Sequence, residues 1–324
     1  MNIALRALLM SAIVGLPSGF AVPENPGRGN NPDLATDFDG DGKTDMTVYH
    51  PGSGVWMTLT SASSYVLITT RTYGGTGYTA VPGDYDGDGH ADYAVYETAT
   101  GNWSILLSTS GYRTELNANA GGPGWMPVPG DFDGDRRTDP AVYNGLTGQW
   151  LALKSGSNYT ASVSALFGGG LAYRPITGEF DGDGKTDIGL YSAGDYSLRL
   201  STSKYTAGFA VNDVAEDTGS VLAPADFDGD GKTDLVTYAA WFRWTGRVSS
   251  DNYMTLRHWW SRVLAHTPVR GDYDGDGMTD LVAYDPWIGR WRVSLSSAGY
   301  PDSYAEVMAR TLGGRGYVAL PAYP

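Results

Sequence analysis

The sequence predicts an all-β fold, a β-propeller of about six four-stranded blades with one acidic loop per repeat. A similar unit recurs six times at steps of 46 to 48 residues, which is the usual length of a propeller blade. Within each unit, apolar and polar residues alternate with the period of a strand, and no window keeps the period of a helix. A seventh, irregular blade is the alternative.

The composition fits one large β domain. The chain has 324 residues, 41% of them hydrophobic, and is therefore long enough to bury a sizeable core. Its 45 glycines indicate many tight turns. It has no cysteine, which excludes disulfides, thiolate metal sites and cysteine nucleophiles.

The first residues have the pattern of a secretory signal peptide. A short basic start precedes a mostly apolar stretch (residues 7–16), and Ala21 ends a small-residue cleavage site. We therefore expect residues 1–21 to be a signal peptide, residues 22–33 a flexible lead-in and residues 34–324 the propeller. The mature chain is expected to be secreted or at the cell surface without a membrane span, because the apolar stretch is too short to cross a bilayer unaided. An uncleaved membrane anchor is the alternative.

Each repeat begins with the string Asp-(Phe/Tyr)-Asp-Gly-Asp. Its first acidic residue is Asp37, Asp84, Asp131, Asp226 and Asp272, and a sixth copy begins with Glu179. Twelve residues later the chain has Tyr49, Tyr96, Tyr143, Tyr191, Tyr238 and Tyr284. Nineteen residues after the first acid it has Trp56, Trp103, Trp150 and Trp291, with Leu198 in the fourth unit and Thr245, beside Trp244, in the fifth. The tryptophans lie in the middle of predicted strands and are expected in the core.

The end of the sequence predicts how the ring closes. Residues 317–321 resemble residues 78–82, the strand that precedes an acidic loop. The last strand is therefore expected to complete the blade that the N-terminal unit begins, because closure removes exposed sheet edges. An open array of blades is the alternative.

The acidic loop has the composition of a calcium site. In the first copy, Asp37, Asp39, Asp41 and Asp45 stand at positions 1, 3, 5 and 9, counted from the first acid. Four carboxylates this close repel one another unless a cation lies among them, and calcium accepts many oxygen ligands at flexible geometry. Glycines at positions 4 and 6 let the backbone fold around the ion, and the carbonyl at position 7 is a further ligand.

The same pattern gives about six structural Ca²⁺ sites. Their predicted ligand residues are Asp37, Asp39, Asp41, Lys43 and Asp45; Asp84, Asp86, Asp88, His90 and Asp92; Asp131, Asp133, Asp135, Arg137 and Asp139; Glu179, Asp181, Asp183, Lys185 and Asp187; Asp226, Asp228, Asp230, Lys232 and Asp234; and Asp272, Asp274, Asp276, Met278 and Asp280.

The charge supports metal binding rather than a polyanionic partner. The six loops use 24 of the 36 acidic residues, and without those 24 the chain would be net +10. The net charge of −14 argues against nucleic acid and anionic membranes as partners. Six bound calcium ions would bring it to about −2.

The loops lack the features of an EF-hand, which needs a bidentate Glu at position 12 between two helices. Position 12 is instead Val48, Val95, Val142, Leu190, Thr237 and Ala283, each inside a predicted strand. EF-hands are therefore rejected, and acidic surface turns without metal remain the alternative.

The loop and the strand that follows it, at residues 37–49 and 226–238, resemble the FG-GAP/VCBS-type repeat of integrin α-chain-like propellers. The resemblance covers roughly residues 34–322 and implies calcium in the loops of an extracellular adhesion or binding protein. Two departures from the pattern are Glu179 at position 1 and Arg136 at position 6, where a left-handed backbone disfavours any residue but glycine. We predict weaker calcium binding at those two loops.

No motif points to catalysis. The four histidines (His50, His90, His258 and His266) belong to no zinc spacing and have no nucleophile paired with them by motif. We therefore expect no enzymatic activity, although a pair of acids acting on a glycoside stays open.

Aromatic residues that end the Gly-rich turns are the candidate ligand-binding set. Tyr78, Trp125, Tyr173 and Tyr317 occupy this place in their repeats. Exposed, they would bind sugars or protein side chains; the alternative is that they pack inside the turns. The predicted function is a secreted, non-catalytic binding or adhesion module whose partner is an extracellular protein or glycan. The alternatives are a lectin-like carbohydrate-binding protein and an accessory domain of an extracellular polysaccharide-active system.

Overall fold

The computed structural model describes residues 34–214, 220–239, 243–260, 267–300 and 308–321. The expected signal peptide and lead-in lie outside these residues. Within them the chain forms six four-stranded antiparallel sheets. The predicted all-β propeller is confirmed, with six blades.

The strands follow one another regularly along the chain. The N-terminal half contains β1 (Met46–His50), β2 (Val55–Leu59), β3 (Ile68–Thr72), β4 (Tyr78–Ala80), β5 (Tyr93–Glu97), β6 (Asn102–Leu106), β7 (Glu115–Asn119), β8 (Trp125–Pro127), β9 (Ala141–Asn144), β10 (Gln149–Leu153), β11 (Ser162–Leu166) and β12 (Arg174–Gly178). The C-terminal half contains β13 (Asp187–Ser192), β14 (Asp195–Arg199), β15 (Ala210–Val211), β16 (Val221–Leu222), β17 (Leu235–Ala239), β18 (Arg243–Arg247), β19 (Leu256–Trp260), β20 (Thr267–Val269), β21 (Leu281–Asp285), β22 (Arg290–Ser294), β23 (Met308–Thr311) and β24 (Val318–Leu320). Short 3-10 turns lie at Ser108–Ser110, Ser155–Ser157, Ser201–Ser203 and Ser249–Asp251.

The two ends of the propeller meet in blade 1. This blade has the strand order β24-β1-β2-β3, and β24 pairs with β1 so that Ala319 lies opposite Val48. Blades 2 to 6 are β4–β7, β8–β11, β12–β15, β16–β19 and β20–β23. The predicted closure is confirmed, and it leaves no free edge between the first and last blades.

A pair of aromatic rings, tilted against each other, lies at the centre of each blade. Tyr49 lies opposite Trp56 across β1 and β2, with ring centroids 4.9 Å apart. The same pairs in the other blades are Tyr96–Trp103, Tyr143–Trp150, Tyr191–Tyr196, Tyr238–Trp244 and Tyr284–Trp291. All these side chains are buried, which confirms that the tryptophans form the core.

The fourth and fifth blades correct the expected position of the second ring. Tyr196 and Trp244 occupy the place of the tryptophan, and Leu198 and Thr245 do not. In blade 4 the hairpin is short, because Ser192 pairs directly with Asp195 across a two-residue turn. A fixed count of nineteen residues from the loop therefore overshoots the aromatic position.

Alternating strand directions separate two faces of the molecule. The acidic loops join the first and second strands of blades 2 to 6 and precede the second strand, β1, in blade 1. The 3-10 turns join the third and fourth strands of blades 2 to 5, so both lie on one face. The hairpins between the second and third strands and the Gly-rich turns lie on the opposite face. The first strands surround a central cavity of about 460 Å³.

Candidate metal centres

The first acid of each loop organises the backbone around itself. Asp37 accepts hydrogen bonds from the N–H groups of Gly40 at 2.7 Å and Gly42 at 2.8 Å. Both glycines have positive φ, +74° and +85°, a conformation that glycine adopts without a steric penalty. The loop therefore curls around one carboxylate.

The two departures from the repeat pattern keep this geometry. Glu179 accepts from the N–H groups of Gly182 at 2.5 Å and Gly184 at 2.6 Å, so the longer side chain makes the same contacts as aspartate. Arg136 donates its N–H to Asp131 at 2.8 Å and has φ +69°. The left-handed backbone expected at position 6 is present, and an arginine occupies it.

The acid at position 9 is the buried anchor of the loop. Asp45 accepts the N–H of Phe38 at 2.9 Å on one oxygen and that of Ser61 at 2.6 Å on the other. The equivalent acids Asp92, Asp139, Asp187, Asp234 and Asp280 accept the corresponding pair of N–H groups. Each of the six therefore connects its loop to the turn after the third strand.

That turn contains functional residues which the sequence analysis missed. The Ser61 hydroxyl donates to Asp41 at 2.8 Å, and Tyr65 donates to the carbonyl of Thr44 at 3.0 Å. The six serines Ser61, Ser108, Ser155, Ser201, Ser249 and Ser296 all donate to the position-5 acid of their repeat. A tyrosine follows each serine by four residues, at Tyr65, Tyr112, Tyr159, Tyr205, Tyr253 and Tyr300. The Ser-x-x-x-Tyr spacing recurs in every repeat, and it could have identified these residues from the sequence.

Neighbouring loops are joined into a closed ring. The N–H at position 8 of one loop donates to the carbonyl at position 1 of the loop before it, as from Ala91 to Asp37 at 2.7 Å. Thr138, Thr186, Thr233 and Thr279 donate in the same way to Asp84, Asp131, Glu179 and Asp226. Thr44 completes the circle by donating to Asp272 at 2.7 Å. Six loops therefore form one hydrogen-bonded belt around the propeller axis.

The position-7 residues contact the preceding loop with their side chains. A Cβ built on Gly87 would lie 3.1 Å from Arg137 Cγ, and His90 approaches Gly40 similarly. The N–H at this position also donates to the acid at position 5, as from Lys43 to Asp41 at 3.0 Å. Glycine is therefore required at position 4 for two reasons: the backbone has a positive φ, and the position-7 side chain of the next loop packs directly over it.

The carboxylates converge as a metal site requires. Oxygen atoms of Asp37, Asp39 and Asp45 lie within 4.8 Å of one another. Six such groups occur among the described residues, four more of them being Asp84–Asp86–Asp92, Asp131–Asp133–Asp139, Glu179–Asp181–Asp187 and Asp226–Asp228–Asp230. All the ligands are oxygens, the donor type that calcium prefers.

Two oxygens in these groups have no protein partner. Asp133 Oδ1 and Asp228 Oδ1, both at position 3, are buried and accept no hydrogen bond. A buried carboxylate oxygen without a partner is costly, and a bound cation would remove the cost. The residues present therefore fit a hard divalent ion.

Burial changes the proton affinity of the loops. It raises the pKa of Asp45 and of Asp280 to about 8, and that of Asp92 to about 7. Burial also raises the pKa of Asp37 to about 6, with Asp41 and Asp39 adding repulsion. Proton and metal therefore compete for the same oxygens at neutral pH.

The candidate aromatic set lies on the opposite face. Tyr78, Trp125 and Tyr317 are half-buried and pack against the core clusters that contain the aromatic pairs. Tyr173 is 39% exposed. Of the four, Tyr173 alone is exposed, and the other three contribute to packing in the turns.

Comparison with known proteins agrees with the repeat geometry. Residues 37–95 match the FG-GAP-like repeat, and residues 218–250 match the FG-GAP repeat. These stretches include the first, second and fifth acidic loops of the six-bladed ring. The chain is an FG-GAP repeat β-propeller. None of the curated proteins compared with this propeller matches its sequence.

Several solved structures are similar to this FG-GAP propeller at low sequence identity. A lectin of Agrocybe aegerita that recognises non-reducing terminal N-acetylglucosamine is 15% identical, with a TM-score of 0.55 over 86% of this chain and 78% of the lectin. Apo AztD from Citrobacter koseri is 9% identical, with a TM-score of 0.46 over 84% and 83% of the two chains. The dihydro-heme d1 dehydrogenase NirN is 11% identical, with a TM-score of 0.39 over 77% and 51%. At 15% identity the similarity to the lectin shows the fold alone.

The described residues include no helix with the length and hydropathy that a membrane span needs.

Proposed function

We propose that this FG-GAP propeller is a non-catalytic binding and adhesion module that acts outside the cell and is stabilised by about six calcium ions. The observation that carries the proposal is the pair of buried, unpartnered oxygens on Asp133 and Asp228, each within a converging group of carboxylates. Calcium among the six groups would satisfy such oxygens and neutralise the loops.

Calcium would stabilise the ring through linkage with folding. The unfolded chain cannot hold these carboxylates together, so the free energy of binding adds to the free energy of folding. Each site contributes about 2.7 kcal/mol when free calcium is about 100-fold above its Kd. Because the loops share one hydrogen-bonded belt, loss of calcium is expected to weaken the contacts between blades.

Calcium removal tests the proposal. Native mass spectrometry is expected to find close to six calcium ions per chain, and chelation is expected to lower the melting temperature strongly. Asp45→Asn, which keeps the size of the side chain but removes a ligand charge, should lose one ion. Asp195→Asn is the matched control, because Asp195 is an exposed acid in a hairpin. A chelated protein that melts at the same temperature as the calcium-loaded one would refute the proposal.

Secretion is proposed from residues 1–21, which lie outside the described residues. Cleavage after Ala21 would release a mature chain that begins at Val22. N-terminal sequencing of the protein recovered from culture medium tests this directly. Recovery of the full chain in the membrane fraction would support an anchor instead.

Glycan recognition is a second candidate function. It is supported by the shared fold with the N-acetylglucosamine-binding lectin and by the accessible ring of Tyr173. Binding on a glycan array, tried first with terminal N-acetylglucosamine, should fall in Tyr173→Ala and stay unchanged in Leu166→Ala, which removes an exposed apolar side chain from an outer strand. Equal binding by both variants would exclude a role for Tyr173, and release of sugar from any glycan would contradict a non-catalytic role.

A further inference from the structure

The central cavity has a wall that differs from the rest of the ring. The residue two positions before the first acid of each loop lines this wall. These residues are Ala35, Pro82, Pro129, Thr177, Pro224 and Arg270. Most of the remaining wall is aliphatic, including Val81, Met126 and Val128. A volume of about 460 Å³ is within the range of small-molecule sites. The cavity can therefore enclose an organic molecule with an apolar body.

Charge on this wall comes from four of the described residues. Asp37 and Asp84 belong to the first two acidic loops, and Arg136 and Arg270 are the two cations. Calcium would neutralise the two acids, since both are position-1 ligands of the proposed sites. The arginines are then the charges that remain on the wall of the cavity.

Arg136 stands where the other five loops have glycine. A Cβ built on the equivalent Gly89, Gly184, Gly231 or Gly277 would meet no atom within 4 Å. A side chain at position 6 therefore enters open space, and Gly89 itself lines the cavity. Arg136 is exposed and has φ +69°, which costs a non-glycine residue about 1 kcal/mol. Strain of this kind is found preferentially at functional sites.

Arg270 approaches the cavity from the other side. Where four other repeats have alanine or proline at this place, repeat 6 has a half-buried arginine. Arg136 belongs to the third loop and Arg270 precedes the sixth, so the two are three blades apart in a ring of six. The two guanidinium-bearing residues therefore stand on opposite walls of one cavity.

We propose that the central cavity binds a small organic anion, with its apolar body against the proline and aliphatic wall and its oxyanion group on Arg136 and Arg270. Guanidinium groups form strong charge-assisted hydrogen bonds with carboxylate, sulfonate and phosphate oxygens. The site shares Arg136 with the third acidic loop, but its ligand is an organic anion and not calcium. It rests on the proposed calcium binding in one respect only, the neutralisation of Asp37 and Asp84.

Titration calorimetry with 8-anilinonaphthalene-1-sulfonate tests the site, and the uncharged N-phenyl-1-naphthylamine is the matched probe. Arg136→Gly should weaken binding of the sulfonate about 10-fold or more. It should leave the affinity for the uncharged probe unchanged. Because this variant restores the glycine of the other loops, misfolding does not explain a loss. Arg113→Gln removes an exposed arginine on the same face that does not line the cavity, and should bind like the parent chain. Equal sulfonate affinity in the parent chain and Arg136→Gly would overturn the proposal.

Failure of this site and failure of the calcium proposal give different results. Six bound calcium ions with no effect of Arg136→Gly on the sulfonate would reject the anion site and leave the calcium module intact. A clear effect of Arg136→Gly in a chain that binds no calcium would reject the calcium module and support the anion site. Arg270→Gln should likewise weaken binding of the sulfonate but not of the uncharged probe. An Arg270→Gln variant that binds the sulfonate as tightly as the parent chain would contradict the claim that both arginines bind the oxyanion group.

Discussion

At the scale of single residues, the acidic loops show why two glycines in one turn are not equivalent. Gly40 at position 4 combines φ +74° with a neighbour, His90, packed directly over it. Gly89 at position 6 has φ +86° but open space where a Cβ would be. Position 4 therefore excludes a side chain by contact and by backbone, whereas position 6 disfavours it by backbone alone.

Arg136→Gly is expected to stabilise the protein. Glycine removes the penalty of the left-handed backbone, which is about 1 kcal/mol, and the third loop should then bind calcium more tightly. Urea unfolding at saturating calcium measures the first effect, and calcium titration the second. Gly89→Ala is the reverse substitution and serves as the control. It places a Cβ in the same backbone conformation without a clash and should lower the free energy of unfolding by a similar amount. A destabilised Arg136→Gly chain would contradict this account of position 6.

The loop that begins with Glu179 is predicted to bind calcium more weakly than the aspartate loops. Its side chain makes the position-1 hydrogen bonds, but the extra methylene leaves less room for an ion among Asp181 and Asp187. Glu179→Asp should therefore raise the affinity of the weakest class of sites in a calcium titration. Asp226→Glu, the reverse change in the fifth loop, should lower it. Six equivalent sites in the parent chain would refute the prediction.

At the scale of elements, the turn after the third strand supports the acidic loop. Tyr65, with φ +59°, shares its one hydroxyl proton between the carbonyl of Thr44 in its own blade and, at 2.8 Å, the carbonyl of Tyr273 in blade 6. One hydroxyl therefore fixes a loop and also joins two blades. Tyr300 does the same for blades 6 and 5, through Thr279 and Phe227.

Tyr65→Phe is expected to destabilise the protein by about 1 to 3 kcal/mol, because buried carbonyls lose a donor. The ring stays, so packing is unchanged and the loss reports on the hydroxyl. Denaturant unfolding of the calcium-loaded chain measures it. Tyr173→Phe is the control at an exposed tyrosine and should change the free energy of unfolding little. Equal effects of the two substitutions would show that the cross-blade hydrogen bonds contribute nothing.

What the sequence could predict depended on how local each feature is. The acidic loops and ring closure follow from spacing along the chain, and the structure confirms the closure through β24. The contacts across blades were not predicted from the sequence, because Tyr65 and Tyr273 are 208 residues apart and no local pattern links them. The position of Tyr196 was missed since one shortened hairpin shifts the count. The cavity wall depends on six distant segments meeting at one axis.

At the scale of the whole molecule, the belt of loops gathers negative charge on one face. The position-9 acids of all six loops have pKa values raised by burial, to about 8 for Asp45 and Asp280 and to about 7 for Asp92, Asp139, Asp187 and Asp234. In the unfolded chain these acids titrate near 3.8. Between those values the folded, metal-free protein holds protons that the unfolded chain has released, so its stability falls as pH rises.

Calcium is expected to remove this dependence on pH. Metal binding displaces the protons from the same carboxylates, so the calcium-loaded folded chain and the unfolded chain both carry them ionised, and the free energy of unfolding no longer changes with pH. Urea unfolding midpoints measured between about pH 5 and about pH 8 should decline for the chelated, calcium-free protein and stay level at saturating calcium. Asp45→Asn should make the decline of the calcium-free protein shallower, because one titrating group is lost, and Asp195→Asn should change neither curve. Parallel curves with and without calcium would mean that the ions do not bind at the buried carboxylates.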